Sequence, residues 1–271
     1  MSGGRGRARG FTVLELMVAS AIFLVLCGTM FELLQLSQKK YTNESQLSGA
    51  FQETRLAIDQ ITRDFNVAGY PSCGVYSNVP LDSSQYAFGP VAWDPNYGTT
   101  PPCSVPGSGI PCSVAGAGAG TPCTTPGDYD LILETNIGNG VSWIRYQLIG
   151  TTLYRSVVPK TTGADPMNAT SAPNVMVPFL ANVMNNAAAQ IPQIVADYPA
   201  MFSGGSQPIF QYSCNTAAGP QPCALAGNSG SVKNIRDVDI TLIVMTRQRD
   251  MQTQRLELVE LTGRGHRVNP D

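Results

Sequence analysis

The sequence has little of the chemistry on which most enzymes depend. It contains one histidine, His266, in 271 residues, and only 13% of its residues are charged. The sequence therefore offers no basis for a Ser/His/Asp or Cys/His arrangement, and it contains no histidine-based metal motif and no haem attachment pattern. We predict that the chain is not an enzyme, that it has no catalytic residues or metal site, and that it needs no cofactor.

Signals for nucleotide or nucleic-acid binding are also weak. The Ala-Gly run at residues 115–120 is not followed by Gly-Lys-Ser/Thr, as a phosphate-binding loop would be. The net charge is −2, and no region carries the dense positive charge of a nucleic-acid groove. A DNA partner is thus not predicted, although it stays an alternative because six arginines lie near the end of the chain: Arg236, Arg247, Arg249, Arg255, Arg264 and Arg267.

Paired carboxylates offer one further possibility for ion binding. Asp237 and Asp239 are two residues apart in a predicted strand, so their side chains point to the same face and could bind a cation. A solvated strand edge is the simpler interpretation of the same pattern.

Cysteines are few, and their positions are informative. One of the seven, Cys27, lies within an apolar run, and the other six follow it: Cys73, Cys103, Cys112, Cys123, Cys214 and Cys223. An even number beyond a membrane segment favours disulfides formed in an oxidising compartment. Only Cys214 and Cys223 flank a loop short enough to favour a particular pair. A zinc site is the competing interpretation, but the Cys-x2-4-Cys spacing and a nearby histidine are lacking.

The amino-terminal stretch predicts a membrane segment. Arg5, Arg7 and Arg9 precede it without any acidic residue, which keeps this end in the cytoplasm. The apolar run from Phe11 to Leu34 gives roughly 36 Å of helix and can span a bilayer. No small-residue cleavage site follows it, as a secretory signal peptide requires. The carboxylate of Glu15 within the run calls for a function, because ionisable groups are costly in a membrane.

The helix is predicted to continue beyond the membrane as an amphipathic half. One face repeats at helical spacing, and no proline occurs before Pro71. Its members are Leu47, Ala50, Phe51, Thr54, Ile58, Ile61 and Phe65. We therefore predict one helix from about Phe11 to about Ala68, with its second half packed on a globular domain. A coiled coil is the alternative, but only about three heptads are available.

The remaining sequence predicts an antiparallel sheet preceded by a long irregular insertion. Residues 72–128 are rich in Gly, Pro, Ser, Thr and Cys and show weak periodicity. Three strands, at 129–135, 141–149 and 153–158, are separated by glycine turns and form a meander. A hairpin follows at 238–246 and 255–261, and residues 263–271 are predicted to be a frayed tail. The expected fold class is α+β, with the long helix packed on the sheet.

Residues 10–16, Gly-Phe-Thr-Val-Leu-Glu-Leu, resemble the processing motif of type IV prepilins and type II secretion pseudopilins. The resemblance implies that a prepilin peptidase cuts between Gly10 and Phe11 and that Phe11 is then N-methylated. It also implies that Glu15 pairs with the new ammonium group, because an unpaired charge in a filament core costs several kcal/mol. Residues 150–155, Gly-Thr-Thr-Leu-Tyr-Arg, are similar to the sheet of PilW-like minor pilins and J-type pseudopilins.

The resemblance implies a division of the chain into five parts. These are a cleaved leader at 1–10, a transmembrane and filament-core helix at 11–35, an amphipathic helical half at 36–68, an extracytoplasmic pilin-like β domain at 69–263 with its insertion at 72–128, and a tail at 264–271. The chain is expected in the inner membrane as a single-pass prepilin and afterwards in a pilus or pseudopilus.

The function that the resemblance implies is that of a minor pilin, which helps to initiate a type IV pilus or forms its tip. Its partners would be other minor and major pilins, the prepilin peptidase, the inner-membrane assembly platform and, before assembly, the membrane itself. A J-type pseudopilin of a type II secretion system is one alternative. A tip-displayed adhesion or DNA-binding module is another, and it belongs to a different functional class.

Overall fold

The computed structural model describes residues 10, 12–72, 83–87, 89–92, 112–113, 121–122, 127–138, 140–161, 164–172, 174–187, 191–203, 205–223, 235–250 and 253–268. The chain divides into two compact units, residues 1–46 and residues 47–271. Helix α1 spans Val13–Asn66 and runs through the boundary between them.

The first unit consists, in its described part, of the apolar beginning of α1. This helix is long and apolar enough to cross a membrane, with a mean hydropathy of 2.2 in its most apolar window, and none of that window is buried. Its large apolar side chains are exposed over several consecutive turns, as at Phe23 and Leu24. A helix that is apolar on all sides requires a membrane or a protein core around it.

In the second unit, α1 buries one stripe of side chains. The buried residues follow helical spacing, and they are Ala50, Thr54, Ala57, Ile58, Ile61, Asp64 and Phe65. The predicted stripe was wrong at two positions, because Leu47 is 37% exposed and Phe51 is 43% exposed. Leu47 precedes the first buried residue of this stripe, Ala50, and Phe51 lies about 100° around the helix from Ala50, outside the stripe.

The first four-stranded sheet is the predicted meander with one additional strand. Two short segments come before it, β1 at Cys112–Ser113 and β2 at Thr121–Pro122, and they pair in parallel. The sheet itself contains β3 (Asp130–Asn136), β4 (Val141–Ile149), β5 (Thr152–Pro159) and β6 (Val177–Leu180), antiparallel and in that order. Gly138, Gly140 and Gly150 have positive φ at its two turns, a conformation that glycine adopts without steric cost.

The second four-stranded sheet contains β7 (Phe210–Thr216), β8 (Gly219–Pro222), β9 (Ile235–Met245) and β10 (Leu258–His266). Its strands are antiparallel and lie in the order β10-β9-β7-β8. Strand β10 continues through His266, so residues 263–266 belong to the sheet and not to the frayed tail predicted for the end of the chain. The short helix α2 (Pro166–Thr170) connects β5 to β6 within the first sheet, and the short helix α3 (Pro192–Asp197) lies in the connection between the two sheets.

One hydrophobic core joins α1 to both sheets. It contains Phe65 of α1, Trp143 and Tyr146 of the first sheet, and Phe210 and Val238 of the second. A smaller cluster beside it is built from Met184, Ala187, Ile194, Phe202 and Ile243. The predicted class is confirmed: the protein is α+β, with a long amino-terminal helix and antiparallel sheets.

Strand β7 pairs with β9 only as far as Ile240, and beyond that residue the side chain of Asn185 hydrogen-bonds to the backbone of β9. Asn185 is fully buried, and its amide nitrogen donates to the carbonyl oxygen of Thr241 at 2.8 Å. Its amide oxygen accepts the backbone N–H of Ile243 at 2.9 Å. The side chain thereby makes the two hydrogen bonds that a neighbouring strand would otherwise supply.

Part of the predicted irregular insertion is built into the core. Tyr86, Ala87, Val91 and Ala92 are buried. Val91 forms a bridge with Leu133 of β3, and the Ala92 N–H donates to the carbonyl oxygen of Ile132 at 2.9 Å. The described residues of 86–92 belong to no helix or strand, but their apolar side chains are buried and Val91 bridges to the edge of β3, which the sequence did not indicate.

Candidate processing and assembly site

Gly10 is exposed, and the space around its Cα is open. No atom lies within 4 Å of the position that a Cβ would occupy, and its φ is not positive. Neither the space around it nor its backbone conformation therefore requires glycine. A requirement for glycine at this position would have to come from another protein that binds this segment, as a peptidase does. Phe11, the residue after the expected cut, lies outside the described residues.

Glu15 forms a capping box with Thr12 at the start of α1. The backbone N–H and the side-chain hydroxyl of Thr12 both donate to Glu15 Oε2 at 3.0 Å. The Glu15 N–H is 3.3 Å from Thr12 Oγ1. Because α1 begins at Val13, Thr12 is the N-cap and Glu15 is the third helical residue, the positions that this motif uses. The sequence prediction missed this role, although Thr-x-x-Glu before an apolar run is its known signal.

This geometry orders the carboxylate next to the place where cleavage would create a new amine. Cleavage after Gly10 leaves an ammonium group on Phe11, the residue immediately before Thr12. A carboxylate near the amino end of a helix also interacts favourably with the helix dipole. The described arrangement thus presents one negative charge at the start of an apolar helix, where one positive charge would appear.

Cys214 and Cys223 form a disulfide with an S–S distance of 2.08 Å. Cys214 lies on β7, and Cys223 directly follows β8, so the bond closes the β7–β8 hairpin at the outer edge of the second sheet. Cys73, Cys103 and Cys123 lie outside the described residues, and only the backbone of Cys112 is described. Cys27 is an exposed free thiol.

A cluster of polar side chains fixes the second half of α1 on the first sheet. Asp64 Oδ2 accepts the Tyr146 hydroxyl at 2.5 Å and Arg155 Nη2 at 2.8 Å, and Asp64 Oδ1 accepts Gln60 Nε2 at 2.8 Å. Arg155 Nε donates to the Tyr146 hydroxyl oxygen at 3.0 Å. Burial and the neighbouring Asp64 charge raise the pKa of Tyr146 well above its ordinary value. We call these four residues the Asp64 cluster.

Two further ion pairs lie inside the first sheet. Lys160 contacts Glu134, and both side chains are almost completely buried. Lys160 Nζ also donates to the carbonyl oxygen of Tyr86 at 2.8 Å, which ties the insertion to the sheet. Arg145 Nε donates to Asp130 Oδ1 at 2.8 Å, and Arg145 Nη1 donates to the carbonyl oxygen of Met167 in α2 at 3.1 Å. Each of these charges has a partner, as buried charges require.

Asp237 and Asp239 are engaged by basic side chains of the neighbouring strand. Arg264 lies 2.9 Å from Asp237 and 3.6 Å from Asp239, and His266 Nδ1 lies 2.5 Å from Asp237. Burial opposes the charge of Asp237, but the hydrogen bonds from His266 and Arg264 outweigh it and hold the pKa of this carboxyl below its ordinary value. The pair is occupied by an ion-pair network, and no group of metal-ligating side chains occurs among the described residues.

The arginines that left DNA as an alternative are partly neutralised. Arg264 pairs with the two aspartates, and Arg247 lies 3.5 Å from Glu53 of α1. Arg249 donates to the carbonyl oxygen of Gln254 at 2.8 Å. The pairing of Arg264 with two aspartates reduces the positive charge available for phosphate groups, so it does not favour a DNA-binding surface.

Comparison with known proteins gives one match, which covers the amino-terminal segment. Residues 5–31 match the family model described as the prokaryotic N-terminal methylation motif. No curated protein and no solved structure matches the chain. The motif supports a type IV pilin-like or pseudopilin protein that is processed by prepilin peptidase and assembles with other pilins, a structural role. Together with the apolar helix, it fits a prepilin anchored in the inner membrane and later incorporated into a pilus.

Proposed function

We propose that this chain is a PilW-like minor pilin of a type IV pilus, cut after Gly10, N-methylated at Phe11 and polymerised through α1. One coincidence of features supports the cleavage and polymerisation, whereas the PilW-like assignment is supported by the similarity of residues 150–155 described above. The methylation motif at residues 5–31 coincides with an exposed glycine, an ordered carboxylate at Glu15 and a helix whose apolar part is unburied. Each of these features is needed for removal of a leader followed by burial of a new amino terminus in a filament.

The same proposal assigns a place to each part of the chain. Residues 1–10 are the cytoplasmic leader, 11–35 the membrane and filament-core segment, and 36–68 the rest of the helix. The domain at 69–263 lies outside the inner membrane, where the Cys214–Cys223 disulfide can form. The cysteine-rich sequence of the insertion at 72–128 is the reason for proposing a place at the pilus tip or in the initiation of assembly with other minor pilins, major pilins and the assembly platform.

Mass spectrometry of the membrane-associated protein tests the processing step. We expect the mature chain to begin at Phe11 and to carry one methyl group on its amine. Gly10→Val should block the cut without disturbing the fold, because the space around Gly10 is open. Gly4→Val, the same change within the leader, is the matched control and should be cut normally. A mature chain that begins at Met1, or beyond Leu36, would contradict the proposal.

Deletion of the gene distinguishes the pilus from a secretion system. A minor pilin should be needed for surface pili but not for the export of folded proteins. Loss of protein export with normal pili would identify the chain as a J-type pseudopilin. Normal piliation with loss of surface attachment would assign it to an adhesive tip.

A further inference from the structure

An unfilled groove lies on the second unit between α1 and the edge strand β6. It consists of two cavities of about 620 and about 590 Å³. Both are lined by Gln60, Pro178 and Phe179, so they form one continuous depression. The first extends to Arg155 of β5, and the second extends along α1 to Glu53 and Arg247. We call this depression the β6 groove.

The floor of the β6 groove is held in place by the Asp64 cluster. The Phe179 ring packs edge-on against the Tyr146 ring, with their centroids 5.5 Å apart. The Arg155 guanidinium lies 5.7 Å from the centre of the same Tyr146 ring. Because Tyr146 and Arg155 are both hydrogen-bonded to Asp64, the floor is ordered before any partner arrives, which lowers the entropic cost of binding.

The two walls of the groove carry large apolar side chains that face solvent. Leu56 on the α1 wall is 70% exposed, and Val177 on the β6 wall is 61% exposed. Single exposed apolar residues are ordinary on protein surfaces, but two that flank an apolar floor indicate a binding surface.

The edge strand itself is poorly suited to pairing with another strand. Strand β6 has four residues, and Pro178 among them has no backbone N–H. Short edge strands that contain proline are a common protection against strand addition. An α-helix satisfies its own backbone groups and needs only side-chain contacts from such a groove. The geometry therefore favours a helix as the occupant.

Two arginines at the groove predict that the bound helix carries a carboxylate. Arg247 is 73% exposed in its side chain, and its contact with Glu53 is long at 3.5 Å. Arg155 uses Nε and Nη2 within the Asp64 cluster, and among the described residues its Nη1 has no partner. A carboxylate beside an apolar ridge would complement these guanidinium groups.

We infer that the β6 groove binds the amphipathic helical half of a neighbouring pilin-type subunit, with its apolar ridge on Phe179 and a carboxylate towards Arg247 or Arg155. The inference rests on the proposed function, since the partner is a subunit of the same filament. It names a specific contact surface that is separate from the membrane-spanning part of α1.

Charge substitutions on the two walls test the groove in the full-length protein in its own cell. Leu56→Glu and Val177→Glu should be cut after Gly10 as in the wild type, because both side chains are exposed. We expect the filament fraction to contain at least about tenfold less of either variant, the effect of a loss of roughly 1.4 kcal/mol. Ile149→Glu is the matched control: Ile149 ends β4, is 51% exposed and does not line the groove. It should incorporate normally.

A photo-crosslinking residue at position 177 identifies the occupant directly. The expected product joins position 177 to a peptide from the helix of a chain with an N-terminal methylation motif, either another subunit or a second copy. A crosslink to any other kind of segment, the absence of a crosslink, or wild-type incorporation of both wall variants would overturn the inference. Normal processing alongside such a result would leave the proposed function intact, whereas an uncut wild-type chain would contradict that function itself.

Discussion

Glu15 has a role in helix formation before any assembly takes place. Its carboxylate accepts both hydrogen bonds that Thr12 can donate, so it stabilises the first turn of α1 within its own chain. The proposed function gives it a second role, to pair with the ammonium group of Phe11. The two roles depend on different properties of the side chain, because a capping box needs an acceptor and the ammonium group needs a negative charge.

Glutamine at this position should separate the two roles. Glu15→Gln keeps the acceptor that the capping box uses but removes the charge, so we expect normal cleavage after Gly10 and strongly reduced incorporation into filaments. Thr12→Val retains the charge and loses the hydroxyl, and it should incorporate better than Glu15→Gln. The measurement is the amount of each mature variant in the filament fraction relative to the membrane fraction. Wild-type incorporation of Glu15→Gln would remove the proposed charge pairing.

The capping box was detectable from the sequence, because Thr12 and Glu15 have the required types and spacing. Attention to Glu15 as a charged residue in an apolar run led to a functional interpretation alone. The absence of contacts around Gly10 was not detectable in this way, since it depends on which atoms surround the glycine in space.

At the scale of secondary-structure elements, the contact between α1 and β10 depends on two glycines. A Cβ at Gly263 would lie 2.2 Å from Ile58 Cγ2, and one at Gly265 would lie 2.8 Å from Phe65 Cδ1. Both distances are shorter than van der Waals contact. The helix therefore lies closer to this strand than any residue with a side chain would allow.

Gly263→Ala should weaken this contact. The added methyl group meets the branched carbon of Ile58, which cannot rotate away freely in a helix. We expect a loss of about 1–3 kcal/mol in the free energy of unfolding, the usual cost of overpacking. Urea unfolding of the full-length protein in detergent measures it. Thr262→Ala changes the adjacent exposed residue and should stay within about 0.5 kcal/mol of wild type; an equal effect of both changes would contradict the close contact.

Local sequence signals predicted some elements well and others poorly. Strand β4 at Val141–Ile149 has the predicted bounds, because alternating residues and glycine turns on both sides define it. Strand β10 was predicted to end at residue 261, because the last residues of a chain are commonly frayed. Gly263 and Gly265 admit the helix to this strand, which is a tertiary contact that no local pattern carries. The buried residues 86–92 were missed for a similar reason, because their apolar run is short and surrounded by glycine and proline.

Across the protein as a whole, the Asp64 cluster couples the second half of α1 to the first sheet. Asp64→Ala would leave the hydroxyl of the fully buried Tyr146 and the partly exposed guanidinium of Arg155 without their shared acceptor. A buried hydrogen-bond donor left without its acceptor costs about 1–3 kcal/mol. We expect a loss of that order in urea unfolding of the full-length protein.

Arg247→Ala is the matched control for Asp64→Ala. It breaks the exposed ion pair between Arg247 and Glu53, and such pairs contribute about 1 kcal/mol or less. If both variants lost the same stability, the Asp64 cluster would be no more than a surface interaction.

The closure of β10 against α1 also determines when the protein can finish folding. The N–H of His266 donates to Asn66 Oδ1 at 2.9 Å, a contact between residues 200 positions apart. Contacts of such long sequence separation form late and slow the folding of a chain. In the topology proposed above, the amino-terminal end stays in the cytoplasm, and the helix–strand packing can be completed only after the last strand has crossed the membrane. Under that proposal, the carboxyl-terminal strand must be released on the far side of the membrane before the subunit can assemble in its folded form.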